Sequence, residues 1–512
     1  MTKLTHDLKA QLANNWNRPV VKDIRLGRWF TGQDLENDIQ TLQAVFQTIN
    51  LSVDDIVFMA LANTAAYLPI NQALWRYGMT AHPVSSTSTP AELVADYEEH
   101  QYPAMIFTAE MAQAFEGRDD LDSVLVTLET FPEGLVILSR KANQFDGRLL
   151  EPTEDSLGWI LNTSGTTGKP KQVGLPHKFM WQAAQDDAYA HRMTADDTVL
   201  IVMPMFHINA QELIINSMLL VSGRIVIAPK FSASKFWHWI NEDDCTWSSV
   251  VPTIVTILLK NESSKSEFNP NHHLRFIRCA SAMLPVGRHE RFVNEFKVPI
   301  LEGYGMTESC SQCTLNPLDA IKLGSVGKPY GSEVKIITED GYTDDPQVEG
   351  EIAIRGPHVI TEYLNGDERA KKDFHHGWFH TGDLGYFDED GYLWLNGRKK
   401  HLINHGGEKV NPTLVEDVVG ELDYVKNVAV VPTPDEIYGE AVTAVVILQP
   451  DQVPSNEIKH QIMEYAATKL AKYRRPTAVY FVDEFPLNPT GKIMRPQLSQ
   501  QVIKLMQTEL AV

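Results

Sequence analysis

Asn162-Thr163-Ser164-Gly165-Thr166-Thr167-Gly168-Lys169-Pro170-Lys171 follows an apolar run at residues 157–161, and its reading decides the rest of the chain. Two glycines, four hydroxyl side chains and two lysines within ten residues make a loop suited to phosphate. Its backbone N–H groups and hydroxyls can wrap phosphate oxygens, and the lysines neutralise their charge. It is not a Walker loop, because Lys169 precedes Pro170 rather than Ser or Thr, and that proline biases the lysine out of helical geometry. On composition alone the same stretch also reads as a flexible turn.

Upstream and downstream, short apolar runs alternate with helical periodicity. Leu35, Ile39, Leu42, Val45, Phe46 and Ile49 recur at three- and four-residue spacing, which predicts an amphipathic helix within 30–51. Residues 68–77 predict a second helix, stopped at Gly78. Buried strands are expected at 55–61, 105–108, 134–139, 199–203, 223–228 and 274–279. Strands alternating with helices indicate a mainly parallel sheet covered on both faces, so the first two thirds is α/β.

From about 323 to 397 the segments shorten and alternate, with Asp340-Gly341 and Asp390-Gly391 as hairpin-turn dipeptides. This predicts a small antiparallel subdomain. After Gly397-Arg398-Lys399-Lys400 a new unit begins, with helices near 414–422 and 458–470 and strands near 428–431, 441–448 and 478–482. Its length suits an independent α+β domain, and a hinge is expected near Lys400.

Composition narrows the function. The 512 residues carry 45 basic and 66 acidic side chains, a net charge of −21, which disfavours nucleic acid and anionic membrane surfaces as partners. The amino terminus lacks a secretory pattern, and no run approaches the ~18 apolar residues of a membrane span, so no stable membrane insertion is expected. Four cysteines, Cys245, Cys279, Cys310 and Cys313, are too few for a disulfide framework and point to a reducing, cytoplasmic setting. His289-Glu290 starts an H-E-x-x-H pattern that fails at Val293, and His375, His376 and His380 read better as solvated or capping residues than as metal ligands.

Four further motifs keep the opening loop company: LEGYGMTE at 301–308, WFHTGD at 378–383, GRKKHLINHGGEKVNP at 397–412 and FPLNPTGKIMR at 485–495. In this order and spacing they resemble the acyl-adenylate-forming superfamily of acyl-CoA synthetases, peptide-synthetase adenylation domains and firefly-type luciferases, over nearly the whole chain. The resemblance implies a large composite α/β N-terminal domain, 1–397, with two mainly parallel sheets and a β-rich subdomain at about 323–397. A small mobile α+β C-terminal domain, 398–512, would follow the hinge at Lys400. It also implies a reaction in which a carboxylate attacks the α-phosphate of ATP, pyrophosphate leaves, and a thiol then displaces AMP.

In that family the opening loop holds pyrophosphate, which assigns Thr163, Ser164, Gly165, Thr166, Thr167, Gly168 and Lys171 to the nucleotide. Glu308 would bind Mg²⁺, a hard cation that takes carboxylate and phosphate oxygens. Ala280, Ser281, Ala282, Glu302, Gly303, Tyr304 and Thr307 would form the adenosine site, with Tyr304 stacking on adenine and Asp383 and Arg398 meeting the ribose. Lys492 would bridge the substrate carboxylate and the α-phosphate. Rotation about Lys400 would then carry it away and bring Gly406, Gly407 and Lys409 towards CoA.

His207, Asn209 and Met306 are expected at the acyl pocket, His207 gating or orienting the carboxylate. The polar mixture there, with Gln211, Ser281, Met283 and Ser309, favours a small or polar acid over a long alkyl chain. PMFHINAQ is similar to carnitine-type and medium-chain CoA ligases, whereas FSASKFW, TWSSVVPTI and LRFIRCASA are similar to the oxalate–CoA ligase branch. CoA is the preferred acceptor; carrier-protein loading and luciferase-like oxygenation are the alternatives within the superfamily, and a homodimer is compatible with it. Two departures stand out: Asn162 where an aromatic residue is common, and Gln172 where a glycine usually follows the lysine. Both point to atypical loop mobility and pyrophosphate release.

Overall fold

The computed structural model describes residues 1–163, 171–366, 371–487 and 493–510. Among these, the chain forms four sheets. It divides into two compact units: Met1–Lys335 with Ala353–His380 and Gly391–Leu393, and Ile336–Ile352 with Thr381–Asp390 and Trp394–Val512. Among the described residues no helix is long and apolar enough to cross a membrane.

The first unit opens with a helix at Lys3–Asn14, closed at its start by reciprocal Thr2 and Thr5 hydrogen bonds and burying Leu4, Leu8 and Leu12 on one face. A nine-stranded sheet follows the order Lys328–Pro329, Thr314–Leu315, Ile300–Tyr304, Phe276–Cys279, Trp247–Val250, Thr198–Ile201, Arg224–Ile227, Pro19–Asp23, Arg28–Thr31. Its six central strands are parallel, and the antiparallel pairings lie at its edges. The parallel strands are almost wholly buried because helices such as Phe236–Glu242, Pro252–Lys260 and Val286–Phe296 pack on them around Trp237, Phe292 and Phe296.

A seven-stranded sheet has a parallel centre at Ile56–Ala60, Thr80–Val84, Ala104–Phe107 and Leu157–Thr163. Each end is an antiparallel hairpin. The run expected at 134–139 belongs to one of them, Leu121–Leu128 with Phe131–Arg140, so this strand departs from the parallel pattern. The other pairs Leu157–Thr163 with Lys171–Pro176. The helices expected near 30–51 and 68–77 occupy Gly32–Thr48 and Tyr67–Arg76.

Within 323–397 the described residues include a six-stranded sheet, antiparallel where Glu333–Thr338 meets Gly341–Thr343 and where Phe374–His375 meets Trp378–Phe387. One turn differs by a residue: Thr338 pairs with Gly341, so the turn residues are Glu339-Asp340 and the glycine enters the returning strand. In the second unit, Val425–Asp435 pairs along its length with Gly439–Leu448, and Ala478–Phe481 adds in parallel. Alternation puts Val428 and Val430 on one face, under the helices Pro412–Val419 and Asn456–Lys469. Ala429 and Val431 face the other way, against Leu498 and Val502 of the helix Arg495–Leu510.

Candidate active site

Parallel strands bring the expected ligand residues to one sheet edge. Ile201 lies opposite Ser249, Val250 opposite Cys279, and Cys279 opposite Glu302, all in parallel register. His207 and Asn209, Ala280 to Ala282, and Tyr304 to Glu308 therefore all follow the carboxyl ends of strands in one sheet, where open α/β folds build ligand sites. Ser281 is exposed and held at φ +74°. Glu302, Gly303 and Tyr304 end the strand Ile300–Tyr304 in buried positions, with His289 Nδ1 donating to Glu302 Oε1 at 2.9 Å.

The turn after that strand is locked by its own atoms. Met306 N donates to Ser309 Oγ at 3.1 Å, and Ser309 Oγ donates to Met306 O at 3.0 Å. A Cβ at residue 305 would lie 2.1 Å from Ser311 O, so only glycine lets the Cys310–Gln312 backbone return so close. Thr307 and Glu308 are thus fixed at the strand end, Glu308 being 9% exposed.

Thr163 and Lys171 are the closing pair of the hairpin that carries the phosphate-loop sequence, and Thr163 Oγ1 donates to Lys171 O at 3.4 Å. Ser164, Gly165, Thr166, Thr167 and Gly168 lie outside the described residues, as does Lys492. Lys171 Nζ lies 2.6 Å from Asp373 Oδ2 and 4.3 Å from the centre of the Tyr363 ring. The Tyr363 hydroxyl donates to Glu308 Oε1 at 2.9 Å. Tyr363 therefore joins the loop-bearing lysine to the proposed metal ligand. Neither Tyr363 nor Asp373 was anticipated; Tyr363 sits 55 residues from Glu308 in an unremarkable stretch, and no spacing rule connects them.

His207 and Asn209 are half-buried where the chain enters the π-helix Asn209–Asn216, a geometry that often marks functional sites. Behind them Gln211 is fully buried, accepting from Asn71 Nδ2 at 2.9 Å and donating to Met205 O at 2.5 Å. Glu212 is fully buried as well, and burial pushes its carboxyl well above the usual range. Met306 is half-buried. The histidines at 375, 376 and 380 surround a His376-Gly377 turn with φ +51° and +79°, and His375 pairs with Trp378. Among the described residues no group of three or more His, Cys, Asp or Glu side chains is arranged to hold a metal ion.

The second unit has its own cluster. Arg398 Nε donates to Asp383 Oδ1 at 2.5 Å and Arg398 Nη2 to Asp383 Oδ2 at 3.4 Å. Thr381 Oγ1 accepts from Asp383 N at 3.1 Å, and Lys399 Nζ donates to Glu351 Oε2 at 3.0 Å. Lys400 lies in the short turn Lys399–His401. Beside it burial, aided by Arg495, Lys400 and Arg398, pushes His401 down to about 4. Gly406 and Gly407, at φ +64° and +95°, form a two-residue turn between Ile403–His405 and Glu408–Val410, and Lys409 is exposed on the returning strand.

Leu487 and Ile493 form an isolated bridge, and Met494 N donates to Pro486 O at 2.8 Å. Just beyond, Arg495 forms a two-pronged ion pair with Glu416 and donates to Val430 O at 2.8 Å.

Residues 8–364 match the model of the AMP-binding enzyme family, and residues 414–492 match the AMP-binding enzyme C-terminal domain. The chain belongs to the AMP-binding enzyme family. Family relatives include the oxalate–CoA ligase of Arabidopsis thaliana, 34% identical over 88% of this chain and 89% of that protein. The sulfoacetate–CoA ligase of Cupriavidus necator is 30% identical over 96% of both chains. Among solved structures, an ATP-bound RpMatB-BxBclM chimera aligns with a TM-score of 0.83 at 26% identity, covering 98% of this chain and 99% of its own. The AMP-binding fold anticipated from the five motifs is therefore present in sequence and in structure.

Proposed function

We propose that this chain joins a small, polar carboxylic acid to CoA at the expense of ATP. It is an AMP-forming acid–thiol ligase: the carboxylate attacks the α-phosphate, pyrophosphate leaves, and the CoA sulfur then takes the acyl group as AMP departs. The observation that carries the site assignment is Tyr363, which holds Glu308 through its hydroxyl while its ring meets Lys171. This ties a cation at the base of the phosphate loop to a carboxylate at the sheet edge. Both groups are needed where two anions must approach.

Glu308 fits Mg²⁺, because a nearly buried carboxylate oriented by a phenol hydroxyl offers the hard oxygen that this cation takes. Bound there, Mg²⁺ would neutralise phosphate charge. Thr163, the hydroxyls and glycines of 164–168, and Lys171 are assigned to the phosphates. Tyr304, Thr307 and the backbone at Ala280 to Ala282 are assigned to adenosine, with Asp383 and Arg398 at the ribose. Lys492 is assigned to the adenylation step. Domains at 1–397 and 398–512, hinged near Lys400, would let Gly406, Gly407 and Lys409 replace it for thioester formation.

Support for a small, polar acid comes from the half-buried His207 and Asn209 and from the buried polar side chains Gln211 and Glu212 that follow them in the π-helix. The oxalate- and sulfoacetate-activating relatives agree. The four cysteines, all buried and none in a disulfide, support a cytoplasmic setting. Light scattering separates the 57.6 kDa monomer from a homodimer. Incubation with ATP, Mg²⁺, CoA and a panel of acids should yield AMP and a thioester, most rapidly with short dicarboxylates or sulfonated acids. Acyl-AMP accumulation without dependence on CoA would count against the reading.

A further inference from the structure

The two departures from the family pattern, Asn162 and Gln172, are paired partners in the phosphate hairpin, one rung below Thr163 and Lys171. Paired residues of an antiparallel ladder share a face, and the next rung takes the opposite one. Lys171 therefore faces Asp373 and Tyr363, while Gln172 turns to the other side of the hairpin. There it meets the helix Pro90–His100: the Gln172 amide nitrogen donates to His100 Nε2 at 3.2 Å. An amide nitrogen can only donate, so Nε2 accepts and the ring proton sits on Nδ1.

Two hydrogen-bond chains then converge on Asp96. His100 Nδ1 donates to it, with Asp96 O and Oδ1 each 3.1 Å away. From the other side His82 Nδ1 donates to the Tyr102 hydroxyl at 3.0 Å, and Tyr102 donates to Asp96 Oδ1 at 3.2 Å. The His100 and Tyr102 rings stack with centroids 5.3 Å apart. His82 is wholly buried on the strand Thr80–Val84 and is kept neutral by that burial, with the Asn162 side chain facing it. Both rung partners are thus backed by one side-chain cluster.

The Gln172 backbone works on the catalytic side. Its N–H donates to Asn365 Oδ1 at 2.8 Å, and its carbonyl accepts from Leu364 N at 2.9 Å. Leu364 follows Tyr363, the residue that links Lys171 to Glu308. Moving Gln172 would move the lysine before it and the Tyr363 turn hung on its backbone.

We propose that His100 is a positioning residue for adenylation: acting through Gln172, it fixes the rung that sets Lys171 and the Tyr363–Glu308 contact. The inference rests on the ligase reading above and adds to it a residue remote from the reacting atoms. A glycine at 172 could not make this link, so the departure from the family pattern is the part that does the positioning. A neutral hydrogen bond of this kind is worth about 0.5–1.5 kcal/mol, a factor of about two to twelve.

The test compares His100→Ala, Gln172→Gly, the double variant and His100→Gln in two assays: acid-dependent ATP–pyrophosphate exchange, and thioester formation from supplied acyl adenylate. Each single variant should lower exchange about threefold to tenfold, mainly through KM for ATP, and leave thioester formation within about twofold. The double variant should be no worse than the poorer single one, and His100→Gln should recover most of the loss. Unchanged exchange, multiplying losses in the double variant, or equal falls in both assays would overturn the proposal while leaving the ligase reading intact. Wild-type protein that exchanges pyrophosphate with no acid would overturn both.

Discussion

Tyr363 and Glu308 are joined by a 2.9 Å hydrogen bond between two side chains that are each less than a tenth exposed. Because the same ring lies against Lys171, the phenol has separable roles: an oxygen for the carboxylate and a face for the ammonium. Tyr363→Phe keeps the face and removes the oxygen. Pyrophosphate exchange should fall about tenfold, as expected for a lost hydrogen bond to a charged group, and the Mg²⁺ requirement should rise. Glu308→Gln, which removes the charge, should cost about a hundredfold or more. Exchange measured across a Mg²⁺ titration checks both; an unaltered Mg²⁺ requirement in Tyr363→Phe would sink the coupling.

Asp383 and Arg398 should behave as a unit. Arg398→Lys keeps the charge but not the planar fork, so it is not a mild change here. Both Asp383→Asn and Arg398→Lys should raise KM for ATP about tenfold, and the double variant should add little. Equal and independent losses would mean that the two residues meet the nucleotide separately.

Lys492→Ala should suppress adenylation by at least about a hundredfold while leaving thioester formation from supplied acyl adenylate within a few-fold. The two half-reactions measured side by side decide it. A matched loss in both would contradict a role confined to the first step.

Acid should weaken the fold through its buried histidines. His177 is wholly buried, its Nδ1 3.0 Å from Thr2 Oγ1, and burial pushes it down from 6.5 to about 4. A depressed folded pKa contributes stability that is complete above the unfolded value and is lost as pH falls through the folded one. The loss therefore runs from about pH 6.5 to pH 4, and reaches roughly 3 kcal/mol at about 1.4 kcal/mol per pKa unit. Urea denaturation at several pH values should show this slope, and His177→Gln should flatten it. An unchanged slope in the variant would assign the acid sensitivity to His82 and His191, which burial also depresses.

What could be read from the residues alone divides by the range of the interaction. Strands such as Ile56–Ala60 and Phe276–Cys279 announce themselves because a strand buried on both faces must be apolar throughout. The Lys3–Asn14 helix is equally legible, with leucines at 4, 8 and 12 behind a Thr2 cap. The turn at Glu339-Asp340 slipped because a glycine at the end of a turn looks the same as one inside it. Thr163, Lys171, Glu308, Asp383 and Arg398 are singled out by motif order alone. Tyr363, Asp373 and the His100–Gln172 contact were invisible, since each depends on segments that meet only after folding.

The placement of the cysteines has a practical consequence. All four are buried and none forms a disulfide, and burial pushes the Cys245, Cys279 and Cys310 thiols well above their ordinary value. A native enzyme whose own thiols are shielded and poorly ionised should stay silent towards Ellman's reagent on the timescale of an assay. Consumption of free CoA can then be followed by titrating withdrawn samples with the reagent without first removing the enzyme, and a sudden rise in titratable thiol would report unfolding rather than turnover.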